Sequence, residues 1–241
     1  MRLYSGSSKE FLDDVRQNLI TNKLNNAFEE YYGKKVTLSE LNSWNNSLQY
    51  IANVIDENGL YDNIVTLEFE LPYSTMRIDC ILFGKDKDGL DNVVVIELKQ
   101  WSQVEDCDVE NNVVTYFGGS QVMVPHPSFQ VEGYHFFLKD FFEIFDKEEI
   151  DLTSCVYCHN YSKSINTTLF LPKFENILKK FPVYTKDDFH KFGSFLKDRL
   201  EKGDGFEIYN RFSNSSIKPS KKLLEHTKQM IEGQKAFTLV D

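Results

Sequence analysis

The segment "VVVIELKQW" (residues 93–101) places a carboxylate and an ammonium group in a stretch that is otherwise apolar and β-branched. Such a stretch favours a buried strand. Side chains alternate along a strand, so Glu97 and Lys99 point to one face while Leu98 points to the other, into the core. Burial penalises charges that have no partner. A charged pair on one face of this strand therefore indicates either a surface pair on an edge strand or, together with the motifs below, a functional site.

A second carboxylate, Asp79, lies eighteen residues earlier in the apolar segment "RIDCIL". A hairpin between the two strands would bring Asp79 beside Glu97. Two adjacent carboxylates repel each other, and a divalent cation would relieve that repulsion. Carboxylates and a backbone carbonyl are the oxygen ligands that suit Mg²⁺ or Mn²⁺. We therefore expect the carboxyl groups of Asp79 and Glu97 to lie within reach of one metal ion.

The spacing D-x₁₇-E-x-K on two adjacent strands resembles the PD-(D/E)xK nuclease superfamily. In that superfamily the Asp and the Glu hold metal, and the Lys positions the nucleophile. The segment "QVEGY" places Gln130 and Tyr134 at i and i+4, on one helical face. It is similar to the QxxxY motif that follows the ExK strand in the RecB and lambda-exonuclease branch. The order of the motifs along the chain also matches that branch.

Three further acidic residues are candidates for completing the acidic cluster. Glu68 and Glu70 lie two apart in "LEFELP" and so are expected to share a strand face. The resemblance includes an upstream acidic residue in some members, but it does not say which of these two it is. Glu40, on the first predicted amphipathic helix, is a further candidate.

The segment "PHPS" directly precedes "QVEGY" and would open the helix near the site. A helix N-terminus attracts phosphate. We therefore expect His126, Ser128 and Gln130 to contact nucleic acid, although a lone histidine is more often structural.

The elements that must position these residues can be predicted from periodicity. "LSELNSWNNSLQYIANVIDENG" predicts a helix that Gly59 ends. "NIVTLEFELP", "TMRIDCILFG" and "VVVIELKQW" predict three strands of an antiparallel meander, with "KDKDGLDN" as a hairpin loop. "NVVTYFG" and "DLTSCVYCHNYS" predict further strands, and a helix is expected from Pro127 onward. Three later segments predict helices: "FENILKKF", "TKDDFHKFGSFLKDRLEKG" and "SKKLLEHTKQMIEGQ".

The expected fold is α/β. The resemblance implies a restriction-endonuclease-like core, in which a central mixed sheet with an antiparallel meander is flanked by helices. Residues 38–165 are also similar to the N-terminal region of bacterial Schlafen-group-3-like proteins, through "SELNSWNNSL", "LEFELP", "RIDCILFG", "VVVIELKQW", "HPSFQVEGY" and "CHNY". In that family this region precedes a superfamily 1 type helicase/ATPase.

We expect two parts in the chain. Residues 1–209 would form the nuclease-like domain, and residues 210–241 would form a linker and a helix. The chain contains no Walker A sequence GxxxxGK[ST] and ends at "EGQKAFTLVD", where the resemblance implies a linker into the ATPase. The domain is therefore expected either to precede a helicase/ATPase domain or to act as a stand-alone module.

The composition of the 241 residues is 41% hydrophobic, which allows a sizeable core. No apolar run is long enough to cross a membrane and no secretory signal is visible, so we expect a cytoplasmic protein without membrane contact. The cysteines are then expected to be reduced thiols. "CVYCH" matches a haem attachment pattern that requires export, and a lone CxxC supplies only two zinc ligands. We therefore expect neither haem nor zinc.

The first function that these features predict is metal-dependent hydrolysis of phosphodiester bonds, with DNA favoured over RNA. Mg²⁺ or Mn²⁺ would be held by Asp79, Glu97 and the backbone carbonyl of Leu98. Lys99 would help an activated water to attack phosphorus. Gln130 would orient that water or a phosphate oxygen, and Tyr134 would support Gln130.

The second function is that of a catalytically inactive nuclease-like module, which binds nucleic acid or a partner ATPase. The net charge of −10 favours this alternative, because an acidic chain is not a natural polyanion binder. The complete set of motif residues favours the first function.

Overall fold

The computed structural model describes residues 1–218 and consists of a mixed β-sheet between two layers of helices, with a small second sheet at one end. The strands are β1 (Arg2–Ser7), β2 (Ile64–Glu70), β3 (Arg77–Lys85), β4 (Asp91–Lys99), β5 (Val104–Glu105), β6 (Asn112–Phe117), β7 (Ser120–Pro125), β8 (Ile150–Cys158) and β9 (Val183–Thr185). The helices are α1 (Ser8–Arg16), α2 (Ile20–Tyr32), α3 (Leu38–Glu57), α4 (Pro127–Phe141), α5 (Ile144–Lys147), α6 (Glu175–Lys180), α7 (Phe189–Leu200) and α8 (Gly205–Ser213).

The main sheet has six strands in the order β1-β2-β3-β4-β8-β9. Strands β1 to β4 pair antiparallel, whereas β8 and β9 run parallel to β4. The chain between β4 and β8 forms the small sheet β5-β6-β7 and then α4, which satisfies the long crossover that a parallel pair requires. The predicted α/β class and the predicted meander of β2, β3 and β4 are confirmed.

The central strand β4 is buried on both faces. Val94 and Ile96 lie in one core layer with α1, α2, α3 and α7, while Val93 and Val95 lie in the other layer with α4, α6 and α8. A strand covered on both faces carries a continuous apolar run. This position in the sheet explains why the segment has four β-branched residues before its first charge.

Two helices border the end of the sheet where β4 finishes. Helix α3 begins after Thr37, whose hydroxyl accepts a hydrogen bond from the amide of Glu40 at 3.2 Å, and it ends at Glu57. Helix α4 begins at Pro127, as predicted, and His126 caps it. Both helices therefore start near the residues that the sequence selects as catalytic.

The cysteines are free thiols, as expected. Cys155 and Cys158 lie three apart on β8, so their side chains point to opposite faces and belong to different core layers. This arrangement does not bring the two thiols to one metal ion. Within residues 1–218, no helix combines the length and the apolar character needed to span a bilayer.

The expected domain boundary after residue 209 falls inside helix α8. Residues 210–213 continue α8, and Phe212 is only 2% exposed in the core. Further on, Ile217 forms a β-bridge with Phe142, and the Lys218 amide donates to the Phe141 carbonyl at 2.9 Å. The folded domain therefore continues through residue 218. The predicted helix "SKKLLEHTKQMIEGQ" lies outside the described residues.

Candidate active site

Asp79 and Glu97 meet where the ladder between β3 and β4 ends. The last backbone-paired residues are Cys80 and Ile96. One step further, Asp79 Oδ2 accepts a hydrogen bond from the Leu98 amide at 2.7 Å, so a side chain replaces the next carbonyl of the ladder. The side chains of Asp79 and Glu97 line the same cleft, close enough for the charge of Glu97 to act on the Asp79 carboxyl group. The two acids thus lie together, as the hairpin geometry predicts.

The surroundings oppose ionisation of Asp79. Burial raises the pKa of Asp79 well above its ordinary value, and the charge of Glu97 raises it further, while Lys99 and the Leu98 amide act in the opposite direction. Glu97 is 2% exposed, and its Oε2 is buried without a hydrogen-bond partner. A buried carboxylate oxygen without a partner is costly, so this atom is suited to a cation.

The side chains of Glu97, Lys99, Gln130 and Tyr134 form one hydrogen-bonded chain. Lys99 Nζ donates to Glu97 Oε1 at 2.5 Å and to Gln130 Oε1 at 2.9 Å. Gln130 Nε2 donates to Glu97 Oε1 at 2.8 Å and to the Tyr134 hydroxyl at 2.7 Å. The ExK strand and the QxxxY helix therefore meet through their motif residues.

The protonation of Lys99 follows from its neighbours. Burial lowers the pKa of Lys99, but the charges of Glu97 and Asp79 outweigh burial and raise the pKa above its ordinary value. Lys99 is thus an ammonium ion at neutral pH. It can stabilise negative charge, but it is not suited to act as a general base.

Of the two upstream acids, Glu68 belongs to this site. Its backbone adopts a left-handed conformation with φ 52°, which is unusual for a residue other than glycine. The flanking residues Leu67 and Phe69 lie in different core layers, so strict alternation of faces does not hold through Glu68. Burial, followed by the charge of Asp79, raises the pKa of Glu68. Backbone strain of this kind is often found at functional sites.

Glu70 does not line the cleft; burial and then the charge of Glu70 raise the pKa of Tyr32, so the Glu70 carboxylate lies near that side chain. Glu40 pairs with Arg77, which also lies 3.2 Å from Glu68 Oε2. Glu40 therefore contacts the site through Arg77.

His126 and Ser128 were expected to contact nucleic acid, but both side chains are fully buried. His126 Nδ1 accepts from the Ser128 amide at 3.2 Å, while Nε2 donates to the Leu169 carbonyl at 3.0 Å. Burial lowers the pKa of His126 to about 4, consistent with a neutral ring. The Ser128 hydroxyl donates to the Phe181 carbonyl at 2.8 Å. We correct that expectation: these two side chains hold the start of α4 in place and have no exposed surface for a ligand.

Helix α3 positions both sides of the acidic pair. Trp44 Nε1 donates to Glu68 Oε1 at 2.8 Å. Gln100 Nε2, just beyond Lys99, donates to the hydroxyls of Ser43 at 2.9 Å and Ser47 at 3.2 Å. These contacts fix the end of β4 against the first turns of α3. Gln100 was not predicted, although its position next to the ExK motif was the available signal.

The site opens into a cleft of about 510 Å³ between α3, the end of β4 and the β6–β7 hairpin. Asp79, Glu97 and Lys99 line this cleft together with Phe117 at the hairpin end. A second cleft of about 480 Å³ shares Asp79 and extends past Arg77. Glu68 and Asp79 thus line both clefts, whereas Glu97 lines only the first. Arg77 was not predicted either, although its place two residues before Asp79 was visible in "MRIDC".

The residues present are compatible with one divalent cation. Asp79 and Glu97 supply carboxylate oxygens, and Leu98 supplies a carbonyl at the edge where the β3–β4 ladder has ended. Within residues 1–218, no group of three His, Cys, Asp or Glu side chains is arranged to hold a metal by itself. A cation here would therefore depend on two side chains, a backbone carbonyl and further ligands from water or substrate.

Comparison of the chain with protein-family models, with curated proteins and with solved structures finds no match.

Proposed function

We propose that this chain is a metal-dependent nuclease, which hydrolyses phosphodiester bonds in nucleic acid, with DNA favoured as the substrate. The observation that carries the proposal is the placement of Asp79 and Glu97 on one cleft at the end of the β3–β4 ladder, where Asp79 Oδ2 accepts from the Leu98 amide. Such a placement is unfavourable in a stable fold unless it serves a purpose, because burial and the charge of Glu97 both oppose ionisation of Asp79. The Lys99, Gln130 and Tyr134 network around the pair supports the same conclusion.

Asp79, Glu97 and the Leu98 carbonyl would hold Mg²⁺ or Mn²⁺, with Glu68 on the neighbouring strand as a further acid. When bound, such an ion lowers the pKa of water and polarises a phosphoryl oxygen. The partnerless Oε2 of Glu97 supports this assignment, since a cation would satisfy it.

The remaining motif residues have separate tasks. Lys99 would stabilise the negative charge that develops on the phosphoryl oxygens, because its neighbours keep it protonated. Gln130 fixes the direction of the Lys99 ammonium group by accepting one of its hydrogen bonds. Tyr134 accepts from Gln130, so its own hydroxyl proton is available for a donor bond to a phosphate or water.

The architecture supports a restriction-endonuclease-like core. An antiparallel meander carries the D and ExK motifs, and a crossover helix then carries QxxxY before the chain returns as a parallel strand. The resemblance also implies a helicase/ATPase as a partner, in the same chain or in another.

The alternative is a catalytically inactive module that binds nucleic acid or a partner ATPase. The net charge of −10 favours it, because phosphate backbones bind most readily to basic surfaces. The side chains of the proposed site favour catalysis, since the motif residues Asp79, Glu97, Lys99, Gln130 and Tyr134 are present and connected.

A cleavage assay with Mn²⁺ on linear, circular, single-stranded and duplex DNA and on RNA tests the proposal. We expect wild-type protein to cleave at least one substrate, and Asp79→Ala to lose both cleavage and Mn²⁺ binding. Asp88→Ala is the matched control, because Asp88 is an exposed acid in the loop at the other end of β3. Folded wild-type protein that binds no Mn²⁺ and cleaves no substrate would overturn the nuclease assignment.

A further inference from the structure

The end of the β6–β7 hairpin lines the cleft that contains Asp79 and Glu97. Phe117 and Ser120 are its last paired residues, and Gly118 and Gly119 form a two-residue turn in which both φ angles are positive, 56° and 84°. A type I′ turn requires this conformation, which glycine adopts without strain. Phe117 and Gly118 line the same cleft as Asp79, Glu97 and Lys99. The hairpin end is therefore a wall of the proposed active site.

Phe117 extends the inner face of this hairpin beyond the body of the protein. Thr115 lies two residues earlier on the same face, is buried, and donates to the Gln103 carbonyl at 3.1 Å. Phe117 lies beyond the part of β6 that pairs with β5, and its side chain is 52% exposed. Among residues 1–218, no aromatic ring packs against it. An exposed ring in the cleft that the buried carboxylates also line is thus available to a ligand.

The other residues of the cleft decide which ligand fits. Eight of its nineteen lining residues carry uncharged hydroxyl or amide side chains, among them Ser43, Ser47 and Gln100, and the lining also includes the rings of Trp44, Trp101 and Tyr116. The charged groups that line it are three acids, Glu68, Asp79 and Glu97, and one cation, Lys99. A duplex backbone would need more positive charge than these walls offer. A single strand can instead gain affinity by stacking a base on an aromatic face.

We propose that Phe117 is a stacking platform for a base of single-stranded nucleic acid, placed next to the phosphodiester that the site cleaves; this inference rests on the proposed nuclease function. The base lies on the Phe117 ring, hydroxyl and amide groups of the walls contact the sugar and phosphate, and the adjoining phosphate reaches the acidic pair and Lys99. The substrate class is a single strand or a frayed end, and the protein prefers it over an intact duplex.

The test uses a single-stranded oligodeoxynucleotide with 2-aminopurine at successive positions, and its duplex as a comparison. Binding is measured in Ca²⁺ by anisotropy and by 2-aminopurine quenching, and cleavage is measured in Mn²⁺. We expect Phe117→Ala to weaken single-strand binding roughly tenfold or more and to abolish the quenching. Phe117→Trp should retain both. Met123→Ala is the matched control, because Met123 is 50% exposed on the opposite face of the same hairpin.

The outcomes distinguish base stacking on Phe117 from cleavage of the phosphodiester bond. If Phe117→Ala binds and cleaves the single strand like the wild type, the platform is wrong and the nuclease remains. If the wild type quenches 2-aminopurine through Phe117 but cleaves no substrate, the platform stands and the nuclease assignment fails. If wild-type protein binds neither strand form, or prefers the duplex, the inference is overturned; in the first case Phe117 is better explained as a contact for a protein partner.

Discussion

At the scale of single residues, the site combines contacts that are local in sequence with contacts that are not. Glu97 and Lys99 are two apart on a strand, and Gln130 and Tyr134 are one helical turn apart, so their shared faces follow from periodicity alone. The choice of Glu68 over Glu70 does not. It depends on the left-handed backbone of Glu68 and on its hydrogen bond from Trp44, which lies 24 residues away in the chain.

Lys99 should affect catalysis far more than metal binding. Lys99→Ala removes an ammonium group but leaves both carboxylates, so cleavage in Mn²⁺ should fall at least ~100-fold. Mn²⁺ affinity, measured by calorimetry, should be kept or should rise, because a positive charge that repels the cation is gone. Lys147→Ala, at an exposed position, is the control and should cleave at the wild-type rate. Wild-type cleavage by folded Lys99→Ala would contradict the role of Lys99.

Asp79 should make the stability of the metal-free protein depend on pH. Because its pKa is raised in the folded state by burial and by Glu97, the folded protein binds more protons than the unfolded chain above about pH 4. Stability therefore falls as the pH rises from there toward the folded pKa. Asp79→Asn cannot ionise and should lose this dependence.

Melting in EDTA between pH 4 and pH 8 measures the effect. The advantage of Asp79→Asn over wild type should be smallest at pH 4 and reach at least ~3 °C at pH 8, equal to about 1 kcal/mol. Added Mn²⁺ should stabilise only the wild type. Asp88→Asn should show no such trend. An Asp79→Asn advantage that is greatest at low pH would show that the carboxyl group is ionised and stabilised in the folded protein.

At the scale of elements, the strands and helices with clear periodicity were predictable. The meander β2–β4 alternates or runs apolar between turn residues, and α3 repeats apolar residues every three or four positions. The missed elements lack such signals. Strand β1 is "RLYSGS", and β9 has three residues, so both are strands only because they pair with β2 and β8. Tertiary pairing overrides weak local preference in such segments.

The start of α4 shows the same limit. Its position follows from the proline at the first helical position, but the burial of His126 depends on Leu169, which lies 43 residues away. The sequence offered a helix N-terminus near the site and so suggested a phosphate contact. The fold instead uses the imidazole as a cap, which leaves neither ring nitrogen for a ligand.

His126 should therefore matter for stability and not for substrate contact. His126→Ala removes the cap of α4 and leaves the buried Leu169 carbonyl without its donor, so unfolding free energy should fall by about 2–4 kcal/mol. Denaturant unfolding measures this loss. Below the melting temperature of the variant, cleavage per folded molecule should match that of the wild type. A stable His126→Ala variant with weakened nucleic-acid affinity would instead support a direct contact between His126 and nucleic acid.

At the scale of the whole molecule, the C-terminal limit of the domain depends on core packing. The polar composition of residues 210–222 does not predict that packing. "NRFSNSSIKPSKK" has the polar content of a linker, yet one residue in it closes a core layer. Phe212 stacks on Phe142 at 4.9 Å and lies 5.1 Å from Phe83 and 5.4 Å from Phe69, between ring centroids. Its α8 can approach the sheet because it begins at Gly205, where a Cβ atom would lie 2.2 Å from the Phe83 carbonyl oxygen.

Phe212 should therefore be a core residue of the domain and not part of a linker. Phe212→Ala removes a ring that is 2% exposed, so it should lower the free energy of unfolding by about 3–5 kcal/mol, as measured by urea titration. Phe206→Ala is the matched control on the same helix, because Phe206 is 66% exposed, and it should change stability by less than ~0.5 kcal/mol. Equal free energies of unfolding for the two variants would support a domain that ends at residue 209. A large difference instead means that any separately expressed domain must include α8, since ending the chain at residue 209 would remove the ring that fills this layer.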